Sequence, residues 1–138
     1  MTVFVDASAI VAIAMSEPGH EPLALRLSHA GTTNTSPIAV YEAVTAIARI
    51  RAIDPETART KLLVSLRSLG IDIVAMPADI GDAAIDAFQR FGKGRHPAAL
   101  NMGDCFAYAC AKRLGVPLLY KGDDFSLTDI HSALETDP

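Results

Sequence analysis

The sequence predicts an α/β fold built on a parallel sheet, and three observations carry that prediction. Val3-Phe4-Val5 is a short apolar run without alternation, cut off by Asp6 and followed at once by a helical apolar pattern. Such a run suits a strand buried on both faces, as in a parallel sheet. Further strand-like runs alternate with amphipathic helical stretches, the pattern of right-handed βαβ units whose sheet is covered on both sides. Start and stop signals also bracket the helices at regular intervals.

Residues 2–6 read as the first strand and 7–16 as a helix of small residues, ended by Glu17-Pro18-Gly19. A second helix runs from about Glu21 to Ala30, with Leu23, Leu27 and Ala30 on one side and Gly31 placed for a left-handed cap. Thr32 to Thr35 favours a strand. Ser36-Pro37 then supplies an N-cap and a first-turn proline for a helix carrying Val40, Tyr41, Val44, Ile47 and Ala48, ending near Arg51. Asp54-Pro55 repeats the signal; Ala58, Leu62, Leu66 and Leu69 keep the period until Gly70. Ile71 to Val74 is the third strand. Asp79 is placed to cap a helix over 80–91 whose inward residues are Ile80, Ala84, Ile85 and Phe88. A basic, glycine-rich loop spans Gly92 to Pro97, and a helix from about Gly103 to Leu114 stops at Gly115. Pro117 to Tyr120 is the fourth strand, with a short extended piece expected near Asp129-Ile130.

At 138 residues the chain is expected to form a single domain, 1–138, with one substantial core. Half of it is hydrophobic and 20% charged, which excludes a disordered chain. No apolar run reaches the length of a membrane span, and no basic leader precedes an apolar segment, so neither a membrane nor export is expected. Cys105 and Cys110 lie five apart on one predicted helix, on different faces, and form no zinc or redox motif; a reducing cytoplasm fits. The net charge of −4 has the wrong sign for a generic nucleic-acid binder. It is compatible with one whose acids gather around a divalent cation.

Asp6 ends the first strand, Glu42 lies in the first turns of the helix after strand two, and Asp123 and Asp124 follow strand four. Strand ends and the starts of following helices share one edge of a parallel sheet, where ligands bind. Asp104 opens a helix and reaches that edge if the helix runs antiparallel to the strands. Repulsion among such carboxylates in a partly buried site costs roughly several kcal/mol. A cation reverses the sign, and oxygen donors without His or Cys select Mg²⁺ or Mn²⁺. A bound water of lowered pKa can then attack a phosphodiester. Singly, Glu42 and Asp104 are also explained by the helix dipole, and Asp123-Asp124 by turn formation. Asp82 and Asp86, Asp72, Glu56 and the tail acids read as solvated faces. Asp6 is harder to dismiss, because a carboxylate ending a buried strand lacks solvation without a partner.

Taken in order, these residues resemble a PIN domain, specifically the VapC family of toxin ribonucleases. The resemblance covers nearly the whole chain and is strongest in Val3-Phe4-Val5-Asp6-Ala7-Ser8-Ala9, in Asn101 to Ala109 around Gly103-Asp104, and in Leu118 to Phe125 with Thr128-Asp129-Ile130 behind it. It implies a three-layer α/β/α fold with a central parallel sheet of four or five strands. It implies a Mg²⁺-dependent endoribonuclease, with Mn²⁺ able to substitute, cutting tRNA or ribosomal RNA. Asp6 and Asp104 would be the metal ligands, Glu42 and Asp123 would complete the catalytic acids, and Ser8 would hydrogen-bond among them; Asp124 is the alternative fourth acid. It also implies a cognate antitoxin and a homodimer, with the helices before residue 70 as surfaces for both. Lys93, Arg95 and His96 are either a rim that holds RNA phosphate or an ordinary solvated loop.

Two rivals are weaker on the residues. A phosphoacceptor receiver would use Lys121 but needs an aspartate ending the third strand, where Ile73-Val74-Ala75-Met76 stands. A haloacid-dehalogenase-like phosphatase needs an aspartate where Ser8 stands. A non-catalytic binding module fits the fold but gives no reason for four converging acids.

Overall fold

The computed structural model describes residues 1–135. Four parallel strands, β1 (Thr2–Val5), β2 (Thr32–Thr35), β3 (Ile71–Ile73) and β4 (Leu118–Leu119), pair in the order β3-β2-β1-β4. Around them lie α1 (Ala7–Ala14), α2 (His20–Ser28), α3 (Pro37–Arg51), α4 (Pro55–Leu69), α5 (Ala78–Phe91) and α6 (Met102–Leu114).

The three layers follow from side-chain alternation along β1. Val3 and Val5 point into a core shared with Leu119 and with helices α1 to α4. Phe4 points the other way, into a core shared with Leu118, α5 and α6. All three are fully buried, as expected of a central strand covered on both faces. A fifth strand is reduced to one parallel bridge, Leu118 to Ser132. It lies beyond the expected Asp129-Ile130, because Asp129 is held by Tyr108, Arg90 and Lys112.

Most caps form where the sequence puts them. Ser36 Oγ accepts the Ala39 amide at 3.0 Å, Asp54 accepts the Glu56 amide, and Gly70 and Gly115 end their helices in the left-handed region. Gly31 is not a cap: α2 stops at Ser28, and Gly31 instead lets the chain pass Met1, whose amino nitrogen would lie 3.0 Å from an added Cβ. Asp79 sits inside the first turn of α5, which starts after Pro77, and pairs with Arg113.

Two helix faces are rotated from their expected positions. On α5 the buried residues are Ile80, Ala84, Ala87 and Phe91, while Ile85 is 68% and Phe88 44% exposed. Alanines let α5 lie close against α6, so the smaller of two adjoining apolar stripes faces the core. On α3 the buried residues are Ala39, Ala43, Ile47 and Ala48, and Tyr41 is 68% exposed. Asp82, Asp86, Asp72, Glu56 and Glu135 are exposed, as expected; the other tail acid, Asp137, lies outside the described residues. Among the described residues no helix is long and apolar enough to cross a membrane.

Thr33 and Thr35 of β2 are buried with their hydroxyls satisfied. Thr33 donates to the Gly70 carbonyl at 2.8 Å and Thr35 to the Val5 carbonyl at 2.8 Å. The second bond pins the end of β1 immediately before Asp6. Thr35→Val keeps the shape but strands a buried acceptor, so we expect a loss of about 1–2 kcal/mol in a urea melt. An unchanged midpoint would show that this bond does not hold the strand end.

Candidate active site

Asp6 is both the end of β1 and the N-cap of α1. Its Oδ2 accepts the Ser8 amide at 3.0 Å and the Ser8 hydroxyl at 2.6 Å, and its own amide donates to the Leu119 carbonyl at 2.9 Å. Ser8 Oγ in turn accepts the Lys121 amide at 3.0 Å. One hydroxyl therefore joins the aspartate to the turn after β4. Despite these donors Asp6 is only 3% exposed, and burial outweighs them, pushing its carboxyl above the usual range.

Glu42 projects from the second turn of α3, and Asp104 from the first turn of α6. Asn101 and Asp104 form a capping box: the Asp104 amide donates to Asn101 Oδ1 at 2.9 Å, and the Asn101 amide donates to Asp104 Oδ2 at 3.1 Å. The junction between the two helices is close. A Cβ placed on Gly103 would fall 1.9 Å from Glu42 Oε2, so only glycine leaves room for that carboxylate beside Asp104. This contact brings the start of α6 to the edge where the strands end, as the antiparallel course of its helix requires.

The acids act on one another. Burial raises Glu42 to about 7, and the charges of Asp6 and Asp104 add to it. Burial raises Asp104 to about 6; the Asn101 amide opposes this, while Asp6 and Asp124 reinforce it. Asp124 also raises Asp6. The charge of Asp123 acts on Tyr120, and its carbonyl accepts the Ser126 amide and hydroxyl to close a 3₁₀ turn, Asp124–Leu127. The structure therefore joins Asp6, Glu42, Asp104 and Asp124 into one electrostatic group and leaves Asp123 at its margin. A neighbouring Asp-Asp pair gives no signal in sequence for which member acts on the other acids.

The donor set suits a hard divalent cation: carboxylate oxygens only, held partly buried against mutual repulsion. Among the described residues no three His, Cys, Asp or Glu side chains close around one point as a ready cage. Mg²⁺ typically takes one or two carboxylates directly and keeps several waters. Asp6 is buried, and Glu42 and Asp104 are half-buried.

An open cleft of about 670 Å³ adjoins the acids. Ser8 and Glu42 form part of its wall, and Arg49 and Lys121 bring positive charge to it. Lys93, Arg95 and His96 do not line it. Arg95 Nε donates to the Gln89 carbonyl at 3.2 Å, and His96 Nδ1 accepts the Ala98 amide at 3.0 Å while its ring meets Phe91 edge-on. Arg49 and Lys121 are not among the phosphate-holding residues expected from the sequence; the i, i+7 spacing that puts Glu42 and Arg49 on one face of α3 is the signal available there. Cys105 and Cys110 are buried and unbridged.

Comparison with known proteins agrees with this architecture. The family model for the PIN domain matches residues 3–130. The VapC ribonuclease R02377 of Rhizobium meliloti is 45% identical, the match covering 92% of this chain and 98% of that protein. Among solved structures, Mycobacterium tuberculosis VapC20, described as a sarcin-ricin loop cleaving toxin, superposes with a TM-score of 0.73 at 19% identity, covering 93% of this chain and 95% of the other. VapBC2 from Rickettsia felis, bound to a promoter DNA fragment, gives 0.71 at 14% identity over 96% and 97%. At these identities the structural matches speak for the fold alone.

The raised carboxylates set a pH dependence. Each binds its proton more tightly folded than unfolded, so in metal-free buffer stability is greatest below the ordinary glutamate pKa of 4.5 and falls as pH rises through about 6 and about 7. Melts in EDTA should therefore show Tm declining between about pH 4.5 and 7.5. Glu42→Gln should flatten the upper part of that decline. A Tm that rises across the interval would contradict the clustering of these acids.

Proposed function

Because the chain belongs to the PIN domain family and, within it, to the VapC ribonucleases, we propose that it is a Mg²⁺-dependent endoribonuclease acting as the toxin of a toxin–antitoxin pair. The observation that carries this reading is the convergence of Asp6, Glu42 and Asp104 from three separate segments at the carboxyl edge of the sheet, where burial raises all three carboxyls and neighbouring carboxylates, Asp124 among them, raise them further. A protein has no stability reason to gather them; a cation supplies one.

Asp6 and Asp104 would hold Mg²⁺, or Mn²⁺ in its place. When bound, the ion supplies Lewis acidity toward water and phosphate oxygen, worth several kcal/mol of barrier. The protein's own residues do the rest. Ser8 fixes the Asp6 carboxylate and ties it to the turn that carries Asp124. Glu42, whose carboxyl burial and the charges of Asp6 and Asp104 raise to about 7 without a cation, would be the group to take a proton from an attacking water. The capping box holds Asp104 at the same edge, and Gly103 lets Glu42 lie beside it. The adjoining cleft is open enough to admit a strand of RNA, and family membership points to tRNA or ribosomal RNA as the substrate.

Two further surfaces suit the expected partners. Between α1, α3 and α4 a trough of about 360 Å³, floored by Met15, Ile47 and Ile53 and rimmed by Arg51 and Lys61, suits an apolar antitoxin segment with acidic flanks. Between α5 and α6 an apolar groove of about 460 Å³ is formed by Ile85, Phe88, Met102 and Phe106. A two-fold contact buries the same patch on both copies, so pairing this stripe with its own copy would cover it, and we assign it to the expected homodimer.

Mapping new 5′ ends in RNA from cells expressing the protein tests the activity. Wild type should cut at a defined site. Asp6→Asn and Asp104→Asn should each reduce cleavage by ~10²-fold or more while remaining folded, and EDTA should abolish it. Undiminished cutting by both variants would defeat the proposal. For assembly, Phe88→Glu should convert a dimer to a monomer in light scattering; a Phe88→Glu dimer would place the contact elsewhere.

A further inference from the structure

The cleft beside the acids offers a cation with no competing partner. Arg49 is exposed, lines the cleft, and its side chain makes no ion pair or hydrogen bond among the described residues. Lys121 lines the same cleft and is held only loosely, 3.5 Å from the Glu17 carboxylate. Thr45, also at the wall, sits between Glu42 and Arg49 on α3. Glu42 and Arg49 are seven residues apart, so they share a helix face with about 10 Å of axial rise between them. Arg49 therefore stands two helical turns along the same cleft from Glu42, which places it for a phosphate neighbouring the one being cut.

We propose that Arg49 and Lys121 hold a flanking phosphate of the RNA in the cleft formed by α1, α3 and the turn after β4. Glu17 competes for Lys121 when no RNA is bound. The inference rests on the ribonuclease reading and names the side chains that position its substrate. It moves phosphate holding away from the loop of Lys93 and Arg95, which does not line this cleft. The shared Ser8 and Glu42 wall favours RNA over an acidic peptide, because a strand reaching the acids must run along it.

The test uses the full chain and a fluorescein-labelled single-stranded RNA 20-mer, titrated in EDTA so that binding is read without cleavage. Arg49→Gln and Lys121→Gln should each weaken binding roughly three- to tenfold. Each should also make the slope of log affinity against log salt shallower by about 0.7, the value for one lost phosphate contact on a single strand. Arg49→Lys should largely restore both, which a purely structural role would not require. Glu17→Gln should tighten binding, and Lys93→Gln and Arg95→Gln should leave it unchanged. Wild-type cleavage in Mg²⁺, run in parallel, separates the two readings. If wild type cuts RNA but Arg49→Gln binds with unaltered affinity and slope, the phosphate assignment fails and the ribonuclease stands. Unaltered RNA binding with weakened antitoxin capture would make the cleft a protein-docking site and overturn the assignment equally. Absence of any metal-dependent cleavage would remove both.

Discussion

The structure turns on a carboxylate held where water scarcely reaches it. Asp6 follows a strand buried on both faces and is itself 3% exposed. A charge in that position must be answered by donors, by protonation or by a cation. The donors are present: the Ser8 amide and hydroxyl both reach one oxygen. They do not suffice, since burial still raises the group above its ordinary range. Glu42, Asp104 and Asp124 then add negative charge and deepen the deficit. The fold supports an arrangement that is unfavourable by itself, and the surrounding architecture keeps it from relaxing.

That restraint has identifiable parts. The Thr35 hydroxyl bonds the Val5 carbonyl and fixes the strand end. Ser8 links Asp6 to the backbone at Lys121, so the turn bearing Asp124 cannot drift from α1. The Asn101–Asp104 capping box rigidifies the first turn of α6. Gly103, by lacking a side chain, admits the Glu42 carboxylate against that turn. Each contact is worth little next to the two hydrophobic cores, yet together they determine whether four acids meet or disperse. A bound divalent cation would turn the same geometry from a liability into a net stabilising linkage, because it binds only the folded arrangement.

Much of this is legible in the chain. The unalternating run before Asp6, the Ser36-Pro37 and Asp54-Pro55 starts, and the glycines at 70 and 115 each state a local preference that tertiary contacts did not override. What was misread is where two local readings are equally good. On α5, Ile85 and Phe88 make a more hydrophobic stripe than Ala84 and Ala87, but the alanines permit closer helix packing and win the core. Tyr41 on α3 is the same case. Gly31 was legible as a special position but not as a close approach to Met1, because nothing local announces which distant backbone passes by. The choice between Asp123 and Asp124 depends on the phase of a 3₁₀ turn, which sequence periodicity does not encode.

The charge balance reads differently once the acids are located. The chain carries 16 acidic residues against 12 lysines and arginines. With Asp6, Glu42, Asp104 and Asp124 set aside, the remaining acids equal the basic residues in number, so the net charge of −4 matches the site. The overall acidity therefore argues less against a polyanionic ligand than the total suggests: away from the acids the surface carries no net repulsion. Helix α3 shows how the signs are sorted. Glu42 lies toward its N-terminal half and Arg49 and Arg51 in its last turn, each where the helix dipole favours that sign. One element thereby presents negative charge to the edge where the acids gather and positive charge to the cleft, over a distance set by the rise of two helical turns. Net charge is a poor guide to binding when a single helix can separate the signs along its own length.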